Sequence, residues 1–114
     1  MAQEVLYRRS GVLVRRMMLE PGQASPWHRD VCHRVTVVLS GRRLAMEFLA
    51  GGPVHEAEVR AGQVDWSAPS SQVHRAINIG HDRYEEVVTF FLGYRGQNPQ
   101  PRWTLRTRRR RTRG

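Results

Sequence analysis

The residues of this chain best suited to chemistry are two histidines and an aspartate, each delivered by a turn. Residues 22–30 read Gly-Gln-Ala-Ser-Pro-Trp-His-Arg-Asp, and residues 69–78 read Pro-Ser-Ser-Gln-Val-His-Arg-Ala-Ile-Asn. On an extended segment, side chains two apart share a face, so His28 and Asp30 point the same way, about 7 Å apart along the chain. A face holding an imidazole, a carboxylate and, from another strand, the imidazole of His74 is a plausible ligand set for Fe, Zn, Ni or Mn. Without a metal, either histidine is a candidate general base near neutral pH. Asp30 could equally be the ion-pair partner of an arginine.

Strict alternation puts Cys32 and Arg34 on the same face as His28 and Asp30. A guanidinium turned inward is costly unless paired. Either Asp30 or another internal carboxylate pairs with Arg34, or Arg34 awaits an anionic substrate as a bidentate fork. Cys32 reads as a small buried filler. Trp27 and Trp66 are candidate pocket walls, and Gln72 and Asn78 are candidate hydrogen-bonders to a ligand. The chain has no nucleophile triad, phosphate-cradling glycine loop or CxxC pair, which argues against those chemistries.

The elements that must position these residues all read as strands. Residues 4–8 and 12–19, separated by Ser10-Gly11, are rich in apolar residues on both faces. Residues 33–39 give the strongest strand signal, and residues 43–49 alternate with Leu44, Met46 and Phe48 on one side. Residues 54–60 suit a polar edge strand, residues 63–68 lead into the His74 stretch, and residues 84–94 form a long last strand. No segment carries a sustained helical period. Short strands with turns every eight to twelve residues predict a closed or sandwiched all-β fold.

These segments carry a resemblance to the small single-domain cupins, over roughly residues 5–92. The family's first motif is Gly, five residues, His-x-His, three or four residues, Glu, six residues, Gly. Gly22, His28 and Gly41 fall in register, with Asp30 for the second His and Arg34 for the Glu. In the second motif Gly62, Pro69, His74 and Asn78 match, with Ser71 for the inner Gly and one extra residue after Gly62. The resemblance implies a single antiparallel β-barrel or jelly roll, with site roles for His28 and His74. It also implies that a metal centre here lacks its usual Glu. A local bulge would turn His33 inward and let it fill that position.

The chain holds 19 basic residues, all Arg, against 10 acidic ones, a net charge of +9. Eight of these arginines and no acid lie in residues 95–114, so the excess charge belongs to a C-terminal arm. We divide the chain into a barrel domain, residues 1–94, and an Arg-rich tail, residues 95–114. A run of like charges stays solvated, so contact of the tail with nucleic acid is not favoured. One domain and one core suit this length. A single Cys32, no apolar run of membrane-spanning length and no signal-peptide pattern lead us to expect a cytoplasmic protein with no membrane partner. Both faces of residues 12–19 are apolar and one barrel covers one of them, so a homodimer burying Leu13, Met17 and Leu19 is expected.

The expectation for function is an enzyme acting on a small, anionic, carboxylate-bearing molecule. Cupins of this type include dioxygenases, isomerases, cyclases, lyases and decarboxylases. The competing expectation is a non-catalytic small-molecule-binding module tethered by its basic tail. If the tail is a solvated arm, a chain ending after Pro99 should melt within about 5 °C of the full chain, a shift on the order of 1 kcal/mol. A larger loss in a thermal melt would show that the tail packs, with Trp103 and Leu105 as its anchors.

Overall fold

A computed structural model describes residues 1–93; the Arg-rich tail lies outside the described residues. Eight antiparallel strands form two sheets, with no helix among the described residues. They are β1 (Ala2–Arg9), β2 (Val12–Leu19), β3 (His33–Ser40), β4 (Arg43–Phe48), β5 (His55–Glu58), β6 (Val64–Ser67), β7 (His74–Asn78) and β8 (Tyr84–Phe91). One sheet has the order β1-β2-β8-β3-β6 and the other β5-β4-β7. The predicted strands all appear, within one to two residues at most ends. No helix among the described residues is long and apolar enough to cross a membrane.

The five-stranded sheet sorts its side chains by parity. Leu13, Arg15 and Met17 of β2, Arg34, Thr36 and Val38 of β3, and Tyr84, Glu86, Val88 and Phe90 of β8 face the interior. The registers align them in rows: Leu13–Phe90–Arg34, then Arg15–Val88–Thr36, then Met17–Glu86–Val38. The small core lies at one end of this wall, where Leu19, Val38 and Tyr84 are almost fully buried and Met17, Leu44, Val59 and Ala76 pack around them. Burying large apolar side chains here contributes roughly 1.5–3 kcal/mol each. The opposite end is left hollow.

This arrangement corrects one expectation. The Leu13, Met17 and Leu19 face is the barrel's own interior and is not available to a second copy. The outward face of β2 is Val12, Val14, Arg16 and Met18, with Arg16 paired to Glu85 at 2.9 Å. The periodicity of residues 12–19 revealed two apolar faces but not which of them the opposing sheet covers.

Two motif residues are spent on the scaffold. Gly41 turns β3 into β4 at φ +118°, and a Cβ there would stand 2.8 Å from Tyr84 Cδ1 and 3.0 Å from its Cα. Only glycine tolerates that backbone and that approach. Asn78 is fully buried; its Nδ2 donates to the Leu19 carbonyl (2.9 Å) and the Asp82 carbonyl (2.8 Å), and its Oδ1 accepts from Gly80 N (3.0 Å). Asn78 therefore ties β2, β7 and the β7–β8 turn together and does not line the cavity, contrary to its candidacy as a ligand-binding group. Replacing it with leucine strands buried polar groups, so Asn78→Leu is expected to cost roughly 2–3 kcal/mol. Chemical denaturation would read this as a lower midpoint at unchanged slope.

Candidate functional site

The segment before β3 has few ladder partners of its own, yet it is pinned along β7. Gly22 N donates to Asn78 O (2.8 Å), Asn78 N to Gln23 O (2.9 Å) and Ser25 N to Ala76 O (2.8 Å). His28 and His74 then exchange both backbone hydrogen bonds, each 2.9 Å. Such a pair holds its Cα atoms about 5.5 Å apart with side chains on the same side. The two imidazole centroids are 4.6 Å apart. Two residues on, Ser70 N donates to the Asp30 carbonyl (2.8 Å), which brings that carboxylate over the ring pair.

Each ring is aimed by its Nδ1. His28 Nδ1 lies 2.7 Å from the Pro26 carbonyl and His74 Nδ1 lies 3.0 Å from the Gln72 carbonyl. A carbonyl only accepts, so Nδ1 carries the hydrogen in both rings. Both Nε2 atoms then face one carboxylate: His74 Nε2 is 2.7 Å from Asp30 Oδ2, and His28 Nε2 is 3.5 Å from Oδ1. Arg34 Nη2 closes on the same Oδ2 at 3.2 Å. Its Nη1 is buried and donates to nothing among the described residues. Asp30 thus carries three potential cations on two oxygens.

The Asp30 carboxylate facing His28 raises that imidazole's pKa above 6.5, against the lowering effect of burial. Burial alone would push Asp30 upward. The His28 contact and the Arg34 and histidine charges outweigh it and hold the carboxyl below 3.8.

These groups open onto a cavity of about 870 Å³ between the two sheets. Leu13, Met17, Leu44, Met46, Val88 and Phe90 make most of its wall apolar. Deeper, toward the core, the Tyr84 hydroxyl donates to Glu86 Oε1. Burial, with the Glu86 charge beside it, pushes the Tyr84 phenol far up, so it stays protonated. Burial also raises the Glu86 carboxyl, against the lowering effects of the Tyr84 hydrogen bond and the Arg34 charge. A separate recess of about 610 Å³ around Phe48, Pro53 and Val73 has His55 as its one titratable side chain; the Phe48 ring, 6.0 Å from that of His74, stands between it and the cluster.

The predicted site residues divide. His28, Asp30, Arg34 and His74 come together as expected. His33 is on the outer face of β3, its ring 5.6 Å from that of Trp66. The bulge that would have turned His33 inward is absent: the β3 register shifts only between Val38 and Ser40. Trp66 borders the cavity, but its ring stacks outward on Phe91 at 5.6 Å. Trp27 is not a pocket wall; its ring lies under the Arg75 guanidinium, 4.5 Å away. Gln72 contributes its backbone carbonyl to His74 rather than its side chain. Cys32 reaches the cavity wall.

Sequence reasoning passed over Arg15, Tyr84 and Glu86. Their parity placed them with Met17, Val88 and Phe90, and polar residues in an inward-facing set were the available signal.

The group His28, Asp30 and His74 has its ligand atoms within 4.8 Å of one another. Atoms bound to one ion at about 2.0–2.2 Å stand at most about 4.4 Å apart, so the set fits a metal after shifts of a few tenths of an ångström. Nδ1–H tied to a carbonyl is the usual outer support of a metal-binding imidazole.

No family profile matches the sequence, and no curated protein matches it. Solved structures do match in three dimensions. A cupin domain from Bordetella pertussis superposes with a TM-score of 0.69 at 20% identity, covering 78% of this chain and 90% of that one. A double-stranded β-helix protein from Klebsiella pneumoniae gives 0.63 at 24% identity, covering 83% and 79%. An oxalate oxidase gives 0.55 at 24% identity, covering 86% of this chain and 57% of its own.

The cluster predicts a pH signature in chelator-treated protein. His28's raised pKa contributes stability that is complete below 6.5 and is lost as pH rises through its folded value. Asp30's lowered pKa contributes stability present above 3.8 and lost as pH falls through its folded value. Melting temperature should therefore be greatest in mildly acid buffer and decline above pH 6.5. Asp30→Asn should flatten that alkaline decline in the same melts. With these strands, this wall and these neighbours, the chain has the double-stranded β-helix fold of the cupins.

Proposed function

We propose that this chain is a small enzyme acting on a carboxylate-bearing organic molecule, assisted by a divalent transition metal at His28, Asp30 and His74. The reaction would be of the dioxygenase, isomerase, cyclase, lyase or decarboxylase type. The observation that carries this reading is the convergence of two Nδ1-tethered imidazoles on one carboxylate. Unprotonated Nε2 lone pairs would repel that carboxylate, so the arrangement calls for a cation between them, a proton or a metal. Two histidines and a carboxylate with open positions form a donor set suited to Fe(II), Zn, Ni or Mn. That one structural neighbour is an oxalate oxidase supports a small carboxylate as the substrate.

When bound, such an ion supplies Lewis acidity that polarises a carbonyl or enolate oxygen. The chain's own residues do the rest. Arg34 holds the substrate carboxylate through its buried, unspent Nη1 face while Nη2 keeps Asp30 in place. The apolar wall excludes water and strengthens both contacts. With no metal, the proton between His28 and Asp30 would be available for general acid–base work.

Elemental analysis of the purified protein is expected to find about one transition metal per chain, with His74→Ala and Asp30→Ala each losing it. Arg34→Lys should keep the metal and weaken carboxylate binding by about tenfold or more, because lysine retains the charge without the planar fork. Metal-free protein that co-purifies with a tightly held organic anion would replace this reading with the binding module.

A further inference from the structure

Arg34 is not the only cation on the cavity wall. Arg15, on β2, lines the same space. Its side chain makes no hydrogen bond or ion pair with any described residue, and its one specific contact is a guanidinium carbon 4.5 Å over the Phe90 ring. A positive charge in a half-closed, mostly apolar cavity with no counter-ion costs stability. A cation–π contact returns only about 0.5–1 kcal/mol of it where solvent reaches.

Its orientation is informative. Arg15 is opposite Val88, so Phe90 and Glu86 are its two diagonal neighbours on β8. A long side chain reaches either one. The guanidinium lies over Phe90, away from the carboxylate. Glu86 is already engaged by the Tyr84 hydroxyl, and its carboxyl is raised by burial. Asp65, the other acid on the wall, accepts from Gln63 Nε2 (2.9 Å) and lies three strands from Arg15, in the row Asp65–Thr36–Val88–Arg15. Asp30 is held by His28, His74 and Arg34.

Phe90 is also the direct partner of Arg34. The Arg15 guanidinium, over the Phe90 ring, therefore reaches the row that Arg34 starts from, on a strand one spacing of about 4.8 Å from β3. Two guanidiniums rise from one sheet wall, Arg15 stacked over the Phe90 ring and Arg34 turned to Asp30. Each has N–H donors that the protein leaves unspent.

We infer that the cavity takes a molecule with two acidic groups, one held by Arg34 beside the His–Asp–His cluster and the other by Arg15 where it stacks on Phe90, with a short apolar link between them. This rests on the carboxylate reading of Arg34 and adds Arg15 as a specificity-determining residue. The Arg15 arm can be tested without knowing the reaction.

Dissociation constants are measured by calorimetry on the full chain as purified, with succinate and glutarate as diacid probes and propionate and butyrate as matched monoacids. The wild type should hold the diacids about tenfold or more tighter, the gain of one added charged hydrogen-bonding site. Arg15→Met should bring the ratio to within about twofold of unity while leaving monoacid affinity unchanged. Arg15→Gln, which keeps a polar donor, serves the same test if the Met variant melts early. Arg34→Met should weaken both classes. A wild type that does not prefer diacids, or an Arg15 variant that keeps the preference, overturns the Arg15 assignment and leaves the Arg34 reading standing. A wild type that binds neither class overturns both.

Discussion

Two hydrogen bonds exchanged between the backbones of His28 and His74 set the geometry on which the rest of the site depends. They join a segment with few ladder partners of its own to a strand in the second sheet, and so decide that both imidazoles leave the backbone on the same side. Each ring is then oriented by a carbonyl two residues back in its own chain, Pro26 for one and Gln72 for the other. Neither imidazole is aimed by a partner side chain that would itself need positioning. The turns at Gly22 and Pro69 matter because they deliver the chain into this pairing.

Asp30 is where the electrostatics meet. A buried carboxylate is destabilising unless its charge is answered. Here it is answered by the guanidinium of Arg34 and by two imidazoles. The lowered pKa of Asp30 and the raised pKa of His28 are two sides of the same attraction. Arg34, where cupins usually carry a Glu, converts a position that would bind a cation into one that supplies a cation. A metal held by the remaining donors would have more of its coordination sphere open to solvent or substrate, with a fixed positive charge beside it.

The strands and the inward direction of His28, Asp30, Arg34 and His74 were legible in the sequence because alternation is a local property. What alternation does not carry is which of two apolar faces the other sheet will cover. Leu13 and Met17 were therefore read as an outer face when they are the inner wall. Asn78 has the parity of a pocket residue, but its amide is consumed by the carbonyls of Leu19 and Asp82, which are close only once the strands are assembled. Trp27 follows the same pattern: Arg75, its partner, is 48 positions away in sequence and adjacent only in the fold. Arg15 and Glu86 were passed over because a charged residue in a strand looks solvent-facing until the opposite sheet closes over it.

The tethering of both imidazoles through main-chain atoms separates the scaffold from the chemistry it displays. Side chains at 28, 30, 34 and 74 project from backbone that is already satisfied by partners elsewhere, and the tight glycine turn at Gly41 and the Asn78 knot lie outside the cluster. Substitution at those four positions can therefore leave the strand registers as they are. The constraint that remains is charge: a glutamate at 34 would set a second carboxylate beside Asp30 in place of its partner cation, and would need a compensating change at 30 or a cation between them. Barrels of this kind can change their site residues while remaining superposable. This chain superposes on neighbours with which it shares about a fifth to a quarter of its residues.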